Sequence, residues 1–240
     1  MTKRIILTQI LICTMLGACV SQPPKPTTPM VQSQPPVLTV SLAIAPQLKA
    51  AQDAMRAGNY ADGLEQARAL ESAPNLTPFD VHFINELLGY GFAHDGQSLL
   101  AADYLERGLT DGFLPEGQRP ARVIALATLN YQLRNYAKAV NFGTLAVKEG
   151  AADEKTYVVV SQAYYLQGDY RATATFTSEH VDDLIARHEV PSESALQVIL
   201  SSCAKLADAS CEVYALENLI KYHPTAQYRS QLDAVQKGRQ

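Results

Sequence analysis

Five histidines, two cysteines in the C-terminal third and a recurring set of tyrosines are the side chains of this 240-residue chain whose types and spacing could support chemistry. The histidines are His82, His94, His180, His188 and His223, and none forms an HExxH or a CxxH arrangement. His180 and His188 stand eight residues apart, about two helical turns, so one helix face could carry both. A transition-metal site needs three or four converging ligands, and only Asp182 and Asp183 lie between them. Both histidines are therefore expected at the surface, without a metal. Asp182 and Asp183 would diverge by about 100° on a helix, which rules out a paired acid and base and predicts solvated helix surface. No GxSxG turn and no phosphate-cradling loop occurs, and the 13 glycines are scattered. These patterns predict no catalytic residue, no cofactor and no metal.

Charge narrows the partners. A nucleic-acid binder needs a concentrated basic face to neutralise phosphates. Here 20 Lys and Arg are outnumbered by 24 Asp and Glu, with no like-charge run, so no nucleic-acid partner is expected.

The N-terminus reads as an address. Lys3 and Arg4 precede an apolar stretch from Ile5 to Leu16, too short for a bilayer span of about 20 residues. The stretch closes on Leu16-Gly17-Ala18-Cys19, which resembles the lipobox of bacterial lipoproteins. That resemblance implies cleavage after residue 18, lipidation of Cys19 and a membrane anchor. Val20, where Asp would imply inner-membrane retention in enteric-type bacteria, resembles an outer-membrane address facing the periplasm. Residues 19–40 follow as a tether carrying Pro23, Pro24, Pro26, Pro29, Pro35 and Pro36. Such a composition is expected to stay extended, reaching at most ~60 Å at ~3.1 Å per residue.

With Cys13 in the leader and Cys19 lipidated, two thiols remain. Cys203 falls late in one helix and Cys211 early in the next. A tight hairpin can bring such positions within bridging range, a Cα separation below about 7 Å. The alternative is two small buried hydrophobes.

The rest, 41–240, is organised by repetition. Tyr164-Tyr165-Leu166-Gln167-Gly168-Asp169-Tyr170 has a counterpart 34 residues earlier in Tyr131-Gln132-Leu133-Arg134-Asn135-Tyr136. Gly58-Asn59-Tyr60 and Gly96 give two earlier turns, Ala207-Asp208 a degenerate last one, and Pro224 closes the final unit. Ala101 and Ala139 fall where two helices would need a small residue between them. The pattern resembles the tetratricopeptide repeat (TPR). That resemblance implies an all-α, right-handed α-solenoid of about five helix-turn-helix pairs over residues 44–226, with a C-terminal capping helix after them. Gly58, Gly96, Asn135 and Gly168 are expected at equivalent bends. The unit spacing lengthens near Thr77-Pro78, Pro115-Glu116-Gly117 and His188 to Pro191, predicting longer connections or longer second helices. Independently, Leu196, Ile199, Leu200 and Cys203 form a helical apolar stripe. A single pair cannot cover its own apolar face, so neighbours must stack.

The resemblance also implies a partner-binding groove on the first helix of each pair. Its family positions map here to Phe83, Glu86, Tyr90 and His94, then Thr128 and Tyr131, then Gln162 and Tyr165. Tyrosine offers wide apolar contact with a polar tip, which suits recognition. For Tyr131 and Tyr165 the other reading is packing between repeats, and the turn tyrosines Tyr136 and Tyr170 are expected to fill the wedge between helices. The expected role is an envelope adaptor that binds a protein or peptide in the groove. The rival is a structural subunit of a secretion, efflux or wall-remodelling complex, docking by its convex face or ends. An enzyme has no supporting constellation.

Overall fold

The computed structural model describes residues 39–238. The leader 1–18, Cys19 and all but the last two residues of the 19–40 tether lie outside the described residues.

Among the described residues there are eleven α-helices: α1 Ala45–Arg56, α2 Tyr60–Leu70, α3 Pro78–His94, α4 Ser98–Thr110, α5 Arg119–Gln132, α6 Tyr136–Lys148, α7 Glu154–Leu166, α8 Tyr170–Ala186, α9 Glu193–Leu206, α10 Ala209–Tyr222 and α11 Ala226–Lys237. A short 3-10 turn at Glu116–Gln118 precedes α5. The odd-numbered helices α1 to α9 are the first members (A) of five pairs. The even-numbered ones are the second members (B), and α11 caps the last pair.

Each hairpin turns on one left-handed residue: Gly58, Gly96, Arg134, Gly168 and Ala207. In each, the following N–H bonds back to a carbonyl five residues earlier, as in Asn59 to Ala54, Asn135 to Asn130 and Asp208 to Cys203. This closes helix A in the manner of a Schellman turn. The third bend corrects the expectation at Asn135: Arg134 takes the positive φ of 59°, and Asn135 is the N-cap of α6. The four bends between pairs also use one such residue each, at Asn75, Gly112, Gly150 and His188. The spare residues between pairs are spent as foreseen, in the loop before Thr77, in the 3-10 turn and in the long α8.

Five residues after the left-handed position, helix B must pass close to helix A. Gly63, Ala101, Ala139 and Thr173 occupy that place and all are buried. A Cβ added at Gly63 would strike Met55 and the Ala51 carbonyl. In the first pair the crevice is therefore closed to anything larger. Leu88, Leu126, Leu196 and Leu216 are fully buried along the stack. Each stabilises the fold by roughly 1.5–3 kcal/mol.

The open ends of the pairs, opposite the hairpins, are tied by side chains. His82 at the start of α3 meets Asp111 after α4 at 2.9 Å. Arg119 meets Glu149 at 3.0 Å, Glu154 meets His180 at 2.6 Å, and His223 meets the Pro191 carbonyl at 2.8 Å. His180 thereby departs from its expected surface place. It is buried and its ring stacks on Tyr157, whereas His188 is exposed in a bend. Asp182 and Asp183 are exposed as expected.

Cys203 and Cys211 form a disulfide with a Cα separation of 5.5 Å. It spans the last hairpin, whose left-handed residue is Ala207 rather than glycine.

Candidate functional site

The two sides of the stack are not equivalent. Helix α1 packs on α3, α5 on α7 and α7 on α9, while the B helices make no comparable backbone contact with one another. The A helices therefore line the tighter, inner face. That succession has one interruption: α3 and α5 lack a comparable contact, and the 3-10 turn is inserted there. Side chains bridge the junction instead, with the two terminal guanidinium nitrogens of Arg122 on the Glu86 carboxylate. Gly108 sits against this pair, and a Cβ there would collide with Glu86.

The interruption divides the inner face into two recesses. The first, of about 250 Å³, lies between α1 and α3. Met55 and Leu87 form its apolar floor, with Gln52, Arg56, Phe83, Glu86 and Tyr90 around it. Glu86 is already neutralised by Arg122. Tyr90 is about half exposed, and His94 lies over it and stacks on Tyr60 at 5.0 Å.

The second recess, of about 440 Å³, crosses α5, α7 and α9. Tyr131, Gln162, Tyr165 and Leu166 line one side, and Ser194, Gln197, Val198 and Ser201 the other. None of these eight side chains is charged. The Tyr131 hydroxyl donates to the Gln162 carbonyl at 2.6 Å. Tyr165 rests edge-on against Tyr170, and Tyr131 leans on Tyr136. Both turn tyrosines are half-buried in the wedge as expected. Beside this recess a small, partly open cavity of about 20 Å³ reaches Ser161, Thr177 and His180, space for about one water.

No protein-family model and no curated protein matches the chain. Among solved structures it is similar to YrrB, described as a TPR protein with an unusual peptide-binding site, with a TM-score of 0.52 and 14% identity over 80% of this chain and 96% of that one. The chain has the TPR fold. MamA from Desulfovibrio magneticus RS-1 gives a TM-score of 0.48 and 14% identity, over 82% of this chain and 99% of that one.

The TPR register explains which expected residues converge. Phe83, Glu86 and Tyr90 meet at the first recess, and Tyr131, Gln162 and Tyr165 at the second. Thr128 lines neither, its hydroxyl turned back to the Ile124 carbonyl, and His94 contributes only through its contacts with Tyr60 and Tyr90. The structure adds Gln52 and Met55 from α1, and Ser194, Gln197 and Ser201 from α9. These are the same TPR positions in the first and fifth units, so extending the register to both ends of the stack finds them.

Proposed function

We propose that this protein is a periplasm-facing lipoprotein, anchored by lipid on Cys19 to the outer membrane, whose TPR face captures a segment of another envelope protein. The binding half is carried by one observation: the uncharged, tyrosine-lined recess across α5, α7 and α9. Half-exposed aromatic and aliphatic groups beside polar tips are the composition of a recognition surface. The peptide-binding site of YrrB belongs to that protein; the shared fold makes the same kind of surface available here. The anchoring half rests on Leu16-Gly17-Ala18-Cys19 behind Lys3, Arg4 and the apolar run, with the proline-rich 19–40 as spacer.

The test is crosslinking of the full chain in intact cells, wild type against the Tyr131→Ala, Tyr165→Ala double variant. Loss of the crosslinked partner with an unchanged helical spectrum supports capture in the groove. Retention would move the interaction to the convex face or the ends. For the anchor, Cys19→Ala should no longer incorporate labelled palmitate, and continued labelling would overturn it.

A further inference from the structure

We propose that the second recess takes an extended, uncharged peptide, with one backbone amide bracketed by Gln162 and Gln197 and the neighbouring apolar side chain seated against Tyr165 and Leu166. This rests on the reading above that the inner face binds peptides.

The hydrogen-bond inventory points to it. The Gln162 carbonyl oxygen accepts from the Tyr131 hydroxyl at 2.6 Å. Its NH2 group has no partner among the described residues. Gln197 is engaged the other way round. Its NH2 donates to the Tyr228 hydroxyl at 2.7 Å and reaches Glu193 at 3.4 Å, so its carbonyl oxygen is the unused group. Adjacent helices α7 and α9 thus present one free donor and one free acceptor to the same recess. A peptide group carries the matching acceptor and donor, one C=O and one N–H.

Charge complementarity selects the rest of the ligand. No side chain lining the recess bears charge, so a Lys or Glu seated there would lose water without gaining a counter-ion. An aliphatic or aromatic side chain would instead cover Leu166, which is 51% exposed, and the Tyr165 ring. The first recess differs, since it carries Arg56 and Glu86.

The experiment uses fluorescently labelled full chain on an array of N-acetylated, C-amidated nonapeptides varied at their central five residues. Retained peptides should lack Asp, Glu, Lys and Arg at the centre and carry Leu, Ile, Phe or Tyr there. Methylating one central backbone nitrogen of the best peptide should weaken binding about tenfold, the loss of one hydrogen bond. Gln162→Leu and Gln197→Leu, which keep side-chain volume, should each weaken it about five- to tenfold. Tyr131→Phe, which only frees the Gln162 amide to rotate, should weaken it less. A preference for charged peptides, indifference to N-methylation at every central position, or wild-type affinity of both Gln variants would each overturn this inference. If such peptides still lose binding with Tyr165→Ala, the groove reading survives without it. If the wild type retains no peptide at all, both fall.

Discussion

Tyr131 on α5 donates its hydroxyl to Gln162 on α7 at 2.6 Å, across a sequence distance of 31 residues. The same one-repeat reach recurs in Tyr104 to Glu71, Lys138 to Glu106, Arg122 to Glu86 and Tyr214 to Asp182. Each of these bonds ties one pair to the next. Tyr131→Phe keeps the ring and removes one tie. Unfolding in urea should show a loss of about 0.5–1.5 kcal/mol, with helix content unchanged. An unaltered midpoint would mean that water replaces the bond at no cost.

The disulfide makes the last pair separately adjustable. Cys203 is fully buried, and the bridge closes a short loop around Ala207. In the chain-entropy view, opening it costs roughly 2 kcal/mol. Because each pair contacts only its neighbours, the loss should fall on α9, α10 and α11 and leave α1 to α4 protected. Hydrogen exchange read by mass spectrometry, with and without reductant, distinguishes this from a loss spread over the whole chain.

Two of the five hairpins within pairs force a non-glycine side chain into the left-handed region, Arg134 at φ 59° and Ala207 at φ 52°. The Cβ penalty there is about 1–2 kcal/mol, partly offset by the extra freedom glycine brings to the unfolded chain. Arg134→Gly and Ala207→Gly should therefore each stabilise the protein by up to about 1 kcal/mol in thermal or urea unfolding. The same change at Ala139, a buried helical position, should destabilise it instead by roughly 0.5–1 kcal/mol.

Asp80 gives the fold an acid limit. Burial opposes its ionisation, but the N–H groups of Ser41 at 2.8 Å and Thr77 at 2.9 Å outweigh that and hold the carboxyl below its usual range. The folded state thus releases this proton more readily than the unfolded one. The stabilisation is complete above the ordinary carboxylate value of about 4 and is lost as pH falls through the lower folded value. The stability gap between wild type and Asp80→Asn should be widest near neutrality and narrow below about pH 4. A gap independent of pH would show that shape rather than charge is what Asp80 supplies.

Most of the fold could be read in the sequence because three of the five hairpins announce themselves with glycine. Arg134 and Ala207 do not. Their bends are imposed by the helices on either side, which leave only three and two residues respectively to reverse the chain, one of them left-handed. Burial of His180 was equally hidden. The carboxylate that pairs with its ring nitrogen, Glu154, lies 26 positions away at the far end of the preceding helix. Local spacing sees His188 as its companion, while the folded chain sends His188 into a solvent-facing bend. For the binding face, register alone places Tyr131, Gln162 and Tyr165 together. It does not reveal that Glu86 is spent on Arg122, because that bond depends on the gap that the inserted 3-10 turn opens between α3 and α5.

The bonds that join one pair to the next reach no farther than from Ser41 to Asp80, 39 residues. Loop closure over such distances is cheap, and structures wired this locally assemble quickly. As the chain leaves the ribosome or a translocation pore, α1 to α4 have every partner they need before α9 has been synthesised or delivered. Assembly can thus proceed in the order of synthesis, each finished pair offering the next a ready surface on which to settle.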